Sequence, residues 1–324
     1  MPRFNRGLLV LASALSAAAV TLTACSEPAA ESEVVTETGQ TFDLSPEQEG
    51  RVHADKVDDI AAKVPQAIRD SGVLTIAGTS GTAPPLRFYA TDDTTVVGSE
   101  VDFGILIADI LGLKPEITVA DWAQNFVKID SGENDVFISN VTVTEERKDK
   151  YDFATYRLDN LAFETQKDTD WTVDKREDIA GKKIGVGSGT NQEQLLVEWN
   201  EANIADGLAP AEIAYYQNTS DYYLALSSGR IDGYVGPNPS AVYHAATSGE
   251  SKIIGTVSGA GDALQGEIAV TTKKDNGLIE AVQEAIDHAI ETGDYQKVID
   301  RWGLKDEAVT ESVVNPPGLP RKAG

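Results

Sequence analysis

The chain has 324 residues, with 27 Lys and Arg against 52 Asp and Glu, and a net charge of −25 at pH 7. So acidic a balance argues against nucleic acid and anionic lipid surfaces as partners. A single cysteine, Cys25, excludes an intramolecular disulfide, and the histidines His53, His244 and His288 stand too far apart to suggest a metal site.

Residues 1–24 place Arg3 and Arg6 ahead of an apolar run over 8–22, then small residues. This pattern reads as a cleaved signal peptide, and the run is shorter than the ~20 apolar residues a spanning helix needs. Leu22-Thr23-Ala24-Cys25 resembles the bacterial lipobox, which implies that Cys25 is the lipidated first residue of the mature chain. Cleavage takes the net charge from −25 to −27, because the segment carries two arginines and no acid. Residues 25–50 read as a disordered tether: acids without a single base, Pro28 and Pro46, and too few apolar groups to offset ordering entropy. Residues 51–71 read as a lead-in helix, with Val57, Ile60, Ala61, Val64 and Ile68 at helical spacing and a kink or break near Pro65.

The globular part starts with a strand at Gly72-Val73-Leu74-Thr75-Ile76-Ala77 and a Gly/Ser/Thr/Pro loop over 78–85. Ser99 and Asp102 have the spacing of a capping box. Phe103, Leu106, Ile107, Ile110 and Leu111 then mark one helix face, ended by Gly112. A strand at Ile117-Thr118-Val119 leads to a helix from Asp121-Trp122 towards Ser131-Gly132, and Val136-Phe137-Ile138 is a buried strand. Ser139-Asn140-Val141-Thr142 lies at that strand's C-terminal end, and Thr144-Glu145-Glu146-Arg147 reads as a capped helix start. Strand, helix, strand, helix, strand predicts parallel βαβ units.

The same grammar restarts after an extended segment over 161–165. It gives a strand to Val186, a helix with Leu195, Leu196 and Trp199, a strand over 213–216, a helix over 220–228 and a strand over 231–235. The last strand ends at Gly236-Pro237-Asn238-Pro239. A strand over 266–271 and helices around Ile286 and Trp302 follow, then a polar tail with Pro316, Pro317 and Pro320 that reads as loose. Two similar α/β units predict a cleft between them.

Ligands of open α/β sheets collect at the C-terminal ends of strands, where Arg147 is placed. An arginine there can hold a carboxylate through two parallel hydrogen bonds, or simply pair with Glu145 or Glu146. Gly185-Val186-Gly187-Ser188-Gly189-Thr190 lacks the P-loop ending and the Gly-x-Gly-x-x-Gly spacing. It suits either an ordinary turn or a helix N-terminus offering N–H groups to an anion. Trp122 suits either a stacking wall or a core.

Taken in order, several motifs resemble the family 3 solute-binding proteins of ABC importers, the polar amino acid group. They are Gly98-x-x-x-Asp102, Ser131-Gly132-x-x-Asp135, Thr142-x-Thr144-x-x-Arg147, Asp152-Phe153-x-x-Tyr156, Gly181-Lys182-Lys183-Ile184-Gly185-Val186, Gly189-Thr190, Ala225-Leu226-x-x-Gly229-Arg230-x-Asp232 and Gly293-x-Tyr295 with Trp302-Gly303. The resemblance spans about 72–303. It implies an α/β fold of the two-lobed type II periplasmic-binding-protein class, with a two-strand hinge and a central ligand cleft. Lobe 1 would comprise 72–160 plus 268–304, lobe 2 161–267, and 305–324 a C-terminal tail.

The resemblance implies a monomeric extracytoplasmic receptor without cofactor or metal. It would be held to the outer face of the cytoplasmic membrane by its lipid alone, capturing an amino acid or related carboxylate for permease subunits. Arg147 would take the carboxylate, helped by Thr142, Asn140 and Val141, with Ser188, Thr190 and Asn191 meeting it from lobe 2. Ser80, Leu86 and Trp122 would line the side-chain pocket, and Asn238 would lie nearby. The family's ammonium-binding aspartate is replaced by Pro237, and another acid by Ser80, so the resemblance points to a neutral or acidic amino acid over a basic one. The alternative is a cyclohexadienyl-dehydratase-like enzyme on the same fold, for which Glu193 and Glu267 are the candidate acids or bases.

Overall fold

The computed structural model describes Met1 and residues 32–36, 39–79 and 83–321. The expected signal peptide, Cys25 and Ser80 lie outside the described residues. Among the described residues no helix is long and apolar enough to cross a membrane.

The segment read as a tether is folded from Ser32 onward where it is described. β1 (Glu33–Val35) and β2 (Thr41–Asp43) form an antiparallel hairpin. What orders it is distant in sequence. Buried Phe42 packs edge-on to Tyr243 at 5.0 Å and tilted over Trp302 at 6.5 Å, while Asp43 pairs with Arg301 at 3.2 Å. One anchoring aromatic supplies apolar burial that the composition as a whole lacks. α1 (Asp58–Ala61) and α2 (Gln66–Ser71) follow, with the expected break at Pro65.

β3 (Val73–Thr79) leads through a small hairpin, β4 (Phe88–Tyr89) and β5 (Val96–Val97), to α3 (Ser99–Leu111). The helix does not start on the expected capping box. Gly98 is its N-cap, with φ 120° and a position where a Cβ would sit 2.3 Å from the Leu86 carbonyl oxygen, so only glycine fits. Asp102 turns instead to Trp302 Nε1 and to Arg51, each at 2.8 Å. β6 (Lys114–Ala120) and, beyond α4 (Trp122–Ser131), β7 (Val136–Phe137) flank β3 in parallel. The expected helix at Thr144 is a single 3-10 turn over Arg147–Asp149, where Thr144 Oγ1 accepts from the Arg147 N–H at 3.0 Å.

β8 (Tyr151–Gln166) is 16 residues long and passes from one lobe into the other. The second lobe sets β9 (Lys183–Val186), α5 (Asn191–Ala205), β10 (Glu212–Tyr215), α6 (Thr219–Ser227) and β11 (Gly233–Pro237), with β9 parallel to both β10 and β11. α7 (Asn238–Ser248) starts where the sequence reads only as a strand end. Pro239 stands in its first turn, where no intrahelical N–H is required. β12 (Ser251–Ser258) and β13 (Gly266–Lys273) return along β8, β12 on its second half and β13 on its first. α8 (Ile279–Thr292) and α9 (Asp294–Arg301) complete the first lobe.

One sheet runs through both lobes in the order β10-β9-β11-β8-β13-β7-β3-β6, with β12 beside β8. Each lobe has its own core. Leu74, Leu106, Val282 and Trp302 belong to one, and Phe163, Leu196, Trp199 and Val235 to the other. The molecule is therefore a two-lobed α/β protein hinged on β8 and its returning partners.

The C-terminal tail corrects a second expectation, because it is a strap rather than a loose end. The backbone of Val313 and Asn315 bonds to β8 at Thr155 and Phe153. Buried Leu319 donates to the Val143 carbonyl and accepts from Glu145 N–H. Gln194, from the second lobe, donates to the Pro320 carbonyl at 2.9 Å. Proline-rich chain is compatible with such an edge position, where few N–H groups are needed.

Candidate functional site

A cavity of about 150 Å³ lies between the lobes. Its wall is built mainly from strand ends: Thr79 at the end of β3, Ser139 and Asn140 after β7, Gly187 and Ser188 after β9, Tyr216 after β10, and Pro237 at the end of β11. These are the C-terminal ends of parallel strands, where side chains and free backbone groups converge. The volume is small beside the roughly 300–1,000 Å³ of drug-sized sites, which suits a ligand of few heavy atoms.

Of the residues expected to bind ligand, the cavity wall contains Trp122, Asn140, Ser188, Thr190 and Asn191. Arg147 lines an adjoining cavity of about 680 Å³, which shares Thr190 and Asn191 with the first. Val141 and Leu86 are fully buried core residues. Thr142 is also buried, its hydroxyl donating to Asp159 at 2.7 Å. Asn238 stands just behind Pro237 and turns to Glu307 at 3.4 Å. Sequence reasoning missed Tyr216, Gln217, Asn218, Thr219, Tyr222 and Tyr234, which form much of the second-lobe wall. The available signal for Tyr216, Gln217 and Asn218 was their position after β10, a strand end like the others, whereas Thr219 and Tyr222 lie on α6 and Tyr234 on β11.

Arg147 bridges the lobes. Its Nη1 donates to the Thr142 carbonyl at 2.9 Å and its Nη2 to the Gly189 carbonyl at 3.2 Å. The same Gly189 oxygen accepts from Trp122 Nε1 at 3.2 Å. The guanidinium lies 5.4 Å from the ring centres of both Trp122 and Phe126, a cation–π arrangement. Burial pushes its pKa down to about 10, against the attraction of Asp159, so it stays charged at neutral pH. Neither Glu145 nor Glu146 pairs with it: Glu145 is engaged by Lys148 at 2.7 Å.

The N-terminus of α5 caps itself. Thr190 Oγ1 accepts from the Glu193 N–H at 3.2 Å, and the Glu193 carboxylate accepts from the Gly189 N–H at 2.6 Å. The N–H groups of Asn191 and Gln192 open the helix beside the cavity and have no carbonyl within the helix to meet. Asn191 donates to Asp159 and to the Gly259 carbonyl, both at 2.9 Å. Burial raises the Asp159 pKa, and the Thr142 hydroxyl, Arg157, Arg147 and Asn191 oppose that rise.

Chemically the wall is uniform. Among the described residues it contains hydroxyl, amide, aromatic and apolar groups but no charged side chain. Glu193 is spent on its helix cap, and half-buried Glu267 lies outside both cavities, its pKa raised by burial and by Glu311. Among the described residues no three His, Cys, Asp or Glu side chains are grouped to hold a metal ion.

Two hinged α/β lobes with a small uncharged cavity at their strand ends define a binding protein of the type II periplasmic class. The chain belongs to the bacterial extracellular solute-binding proteins, family 3, whose family model matches residues 75–305. It is 31% identical to the L-cystine-binding protein TcyJ of Escherichia coli (strain K12), over 72% of this chain and 84% of TcyJ. It is 27% identical to the arginine-binding protein ArgT of Corynebacterium glutamicum, over 81% of this chain and 84% of ArgT. An ancestral arginine-binding protein solved with arginine bound is 30% identical, with a TM-score of 0.62 over 71% of this chain and 98% of that one.

Proposed function

We propose that this chain is the amino-acid-binding component of an ABC importer, closing its lobes on the ligand and delivering it to permease subunits. The observation that carries this reading is the cavity of small volume at the strand ends of both lobes, in a family whose relatives are named for binding amino acids. In this reading Arg147 takes the ligand's carboxylate, a charged acceptor that outcompetes the Gly189 and Thr142 carbonyls now holding it. Thr190 and the opening N–H groups of α5 meet the same carboxylate from the second lobe. The uncharged wall favours a neutral ligand side chain. Binding without turnover fits better than catalysis, because Glu193, which lines the adjoining cavity beside Arg147, is engaged by the Gly189 N–H, and Glu267 lines neither cavity.

A thermal-shift screen of L-glutamate, L-glutamine, L-cystine, L-lysine and L-arginine tests the function. A ligand present at 100 times its Kd adds about 2.7 kcal/mol to the folded state and raises the Tm by several degrees. No shift with any of the five would count against amino-acid binding, and consumption of prephenate or arogenate would favour the enzyme.

The anchoring belongs to the same proposal. Residues 1–24 are removed and Cys25 carries the lipid, so that a monomeric receptor stays at the outer face of the cytoplasmic membrane. Cys25→Ser should move the protein from the membrane fraction to the medium or leave it unprocessed. Membrane association at the unmutated level would exclude the lipid as anchor.

A further inference from the structure

The family model matches only to residue 305, yet Glu307 is 1% exposed and sits at the meeting point of the two lobes. Its carboxylate accepts from Arg157 Nη1 on β8, and its other oxygen faces Asn238 Nδ2, at the head of α7, at 3.4 Å. Arg157 in turn donates from Nη2 to the side-chain oxygen of Asn140, and pairs with Glu100 at 3.4 Å. Glu100 also accepts from the Asn140 N–H at 3.2 Å and from the Tyr156 hydroxyl. Asn140 is a wall residue of the interlobe cavity and is held in the left-handed region, at φ 53°.

The charged links in this chain of contacts, Glu307, Arg157 and Glu100, are buried, and Asn140 and Asn238 at its two ends are half-buried. Arg157 and Glu100 are 1% and 0% exposed. An asparagine at positive φ is tolerated but not strongly preferred there, so its conformation depends on what holds its two ends. Here both ends are held by the same charged cluster, Glu100 at the N–H and Arg157 at the side chain. Glu307 supplies a second negative charge to that arginine. Without it, Arg157 keeps its bond to Asn140 but only Glu100, at 3.4 Å, as a salt-bridge partner, and a buried cation that loses a partner reorganises its surroundings.

We infer that Glu307, from beyond the family's matched core, is a positioning residue for the ligand cavity. It fixes Asn140 in the first-lobe wall through Arg157 and ties that wall to the second lobe through Asn238. This inference rests on the amino-acid-binding reading for its effect on affinity, but not for its effect on Asn140.

The test is Glu307→Gln in the otherwise intact chain, which keeps the side-chain volume and removes the charge. The first readout needs no ligand: the Asn140 side-chain amide signals in a nitrogen–proton NMR spectrum, assigned by their loss in Asn140→Asp. They shift or broaden in Glu307→Gln if the inference holds, and stay in place if Glu307 merely packs. The second readout is calorimetric affinity for whichever of the five amino acids stabilises the unmutated protein, taken well below the variant's Tm. Binding weakens by about tenfold or more, as for loss of a buried charged partner. Affinity within twofold together with unmoved Asn140 signals overturns the inference. Unmutated protein that binds none of the five overturns the functional reading instead, and the NMR comparison still decides the role of Glu307. Should Glu307→Gln not fold, Asn238→Ala breaks only the cross-lobe arm: ligand release several-fold faster supports the inference, and an unchanged rate overturns it.

Discussion

Replacing Arg147 with alanine weakens amino-acid binding by about 2–5 kcal/mol while leaving the fold intact. The fold survives because Arg147 is not part of a core. Its guanidinium lies over Trp122 and Phe126 at the lobe boundary, and the α/β layers on either side have separate cores. Binding suffers for two reasons that act together. In the proposed reading the ligand's carboxylate loses its charged partner, and the lobes lose the bridge that Arg147 makes to the second lobe through that carboxylate in place of the Gly189 carbonyl. Arg147→Lys separates them. Lysine restores the charge but has no planar fork, so it recovers only part of the loss if two parallel bonds matter. Isothermal calorimetry with the amino acid found by thermal shift measures both variants. Near-normal affinity in Arg147→Ala would remove this residue from the binding site.

How much of this was legible depended on how far away each residue's partner lies in the chain. Helix ends at Gly112 and Gly132, the break at Pro65 and the alternation of β3, α3, β6, α4 and β7 follow from neighbours within a few residues, and they read clearly. The N-terminal hairpin did not, because Phe42 is ordered by Trp302 and Tyr243. The C-terminal strap did not, because Leu319 bonds to Val143 and Glu145. In both, composition described the segment and a distant surface decided its state.

The site divides the same way. The family resemblance named Asn140, Ser188, Thr190 and Asn191, and these line the cavity. It also proposed Val141 and Leu86, which sit close to the cavity in sequence but face the core. For Val141, the alternation of side chains past the irregular end of β7 cannot be phased from the sequence alone, and Leu86 lies in the loop between β3 and β4. The stacked pair Tyr222 and Tyr234, with centroids 3.6 Å apart, joins α6 to β11 and so could not be assembled from either element's own pattern.

Lysine and arginine should bind more weakly than glutamine by about 2–4 kcal/mol, roughly 30- to 1,000-fold. In the proposed site the α-ammonium, common to all three, would face a wall that offers neutral oxygens such as those of Ser139 and Asn191. Asp159 adds negative charge one layer behind, through Asn191 at 2.9 Å. A second cation at the end of the ligand side chain has no such arrangement. The second-lobe wall there is Tyr216, Gln217, Asn218, Tyr222, Tyr234 and Pro237, and proline offers neither a donor nor a side-chain acceptor. Hydroxyls and amides can solvate a cation partly, which keeps the penalty to a few kcal/mol rather than the full cost of an isolated buried charge. The net charge of −25 does not rescue it, because at physiological salt fields from surface carboxylates are screened beyond about 8–10 Å. The expectation departs from ArgT, a relative named for arginine at 27% identity. Competition titrations of glutamine, lysine and arginine at 20 mM and 150 mM salt measure the difference. Arginine or lysine binding as tightly as glutamine at both salt concentrations would sink the neutral-ligand assignment and require a counter-charge within reach of the cavity.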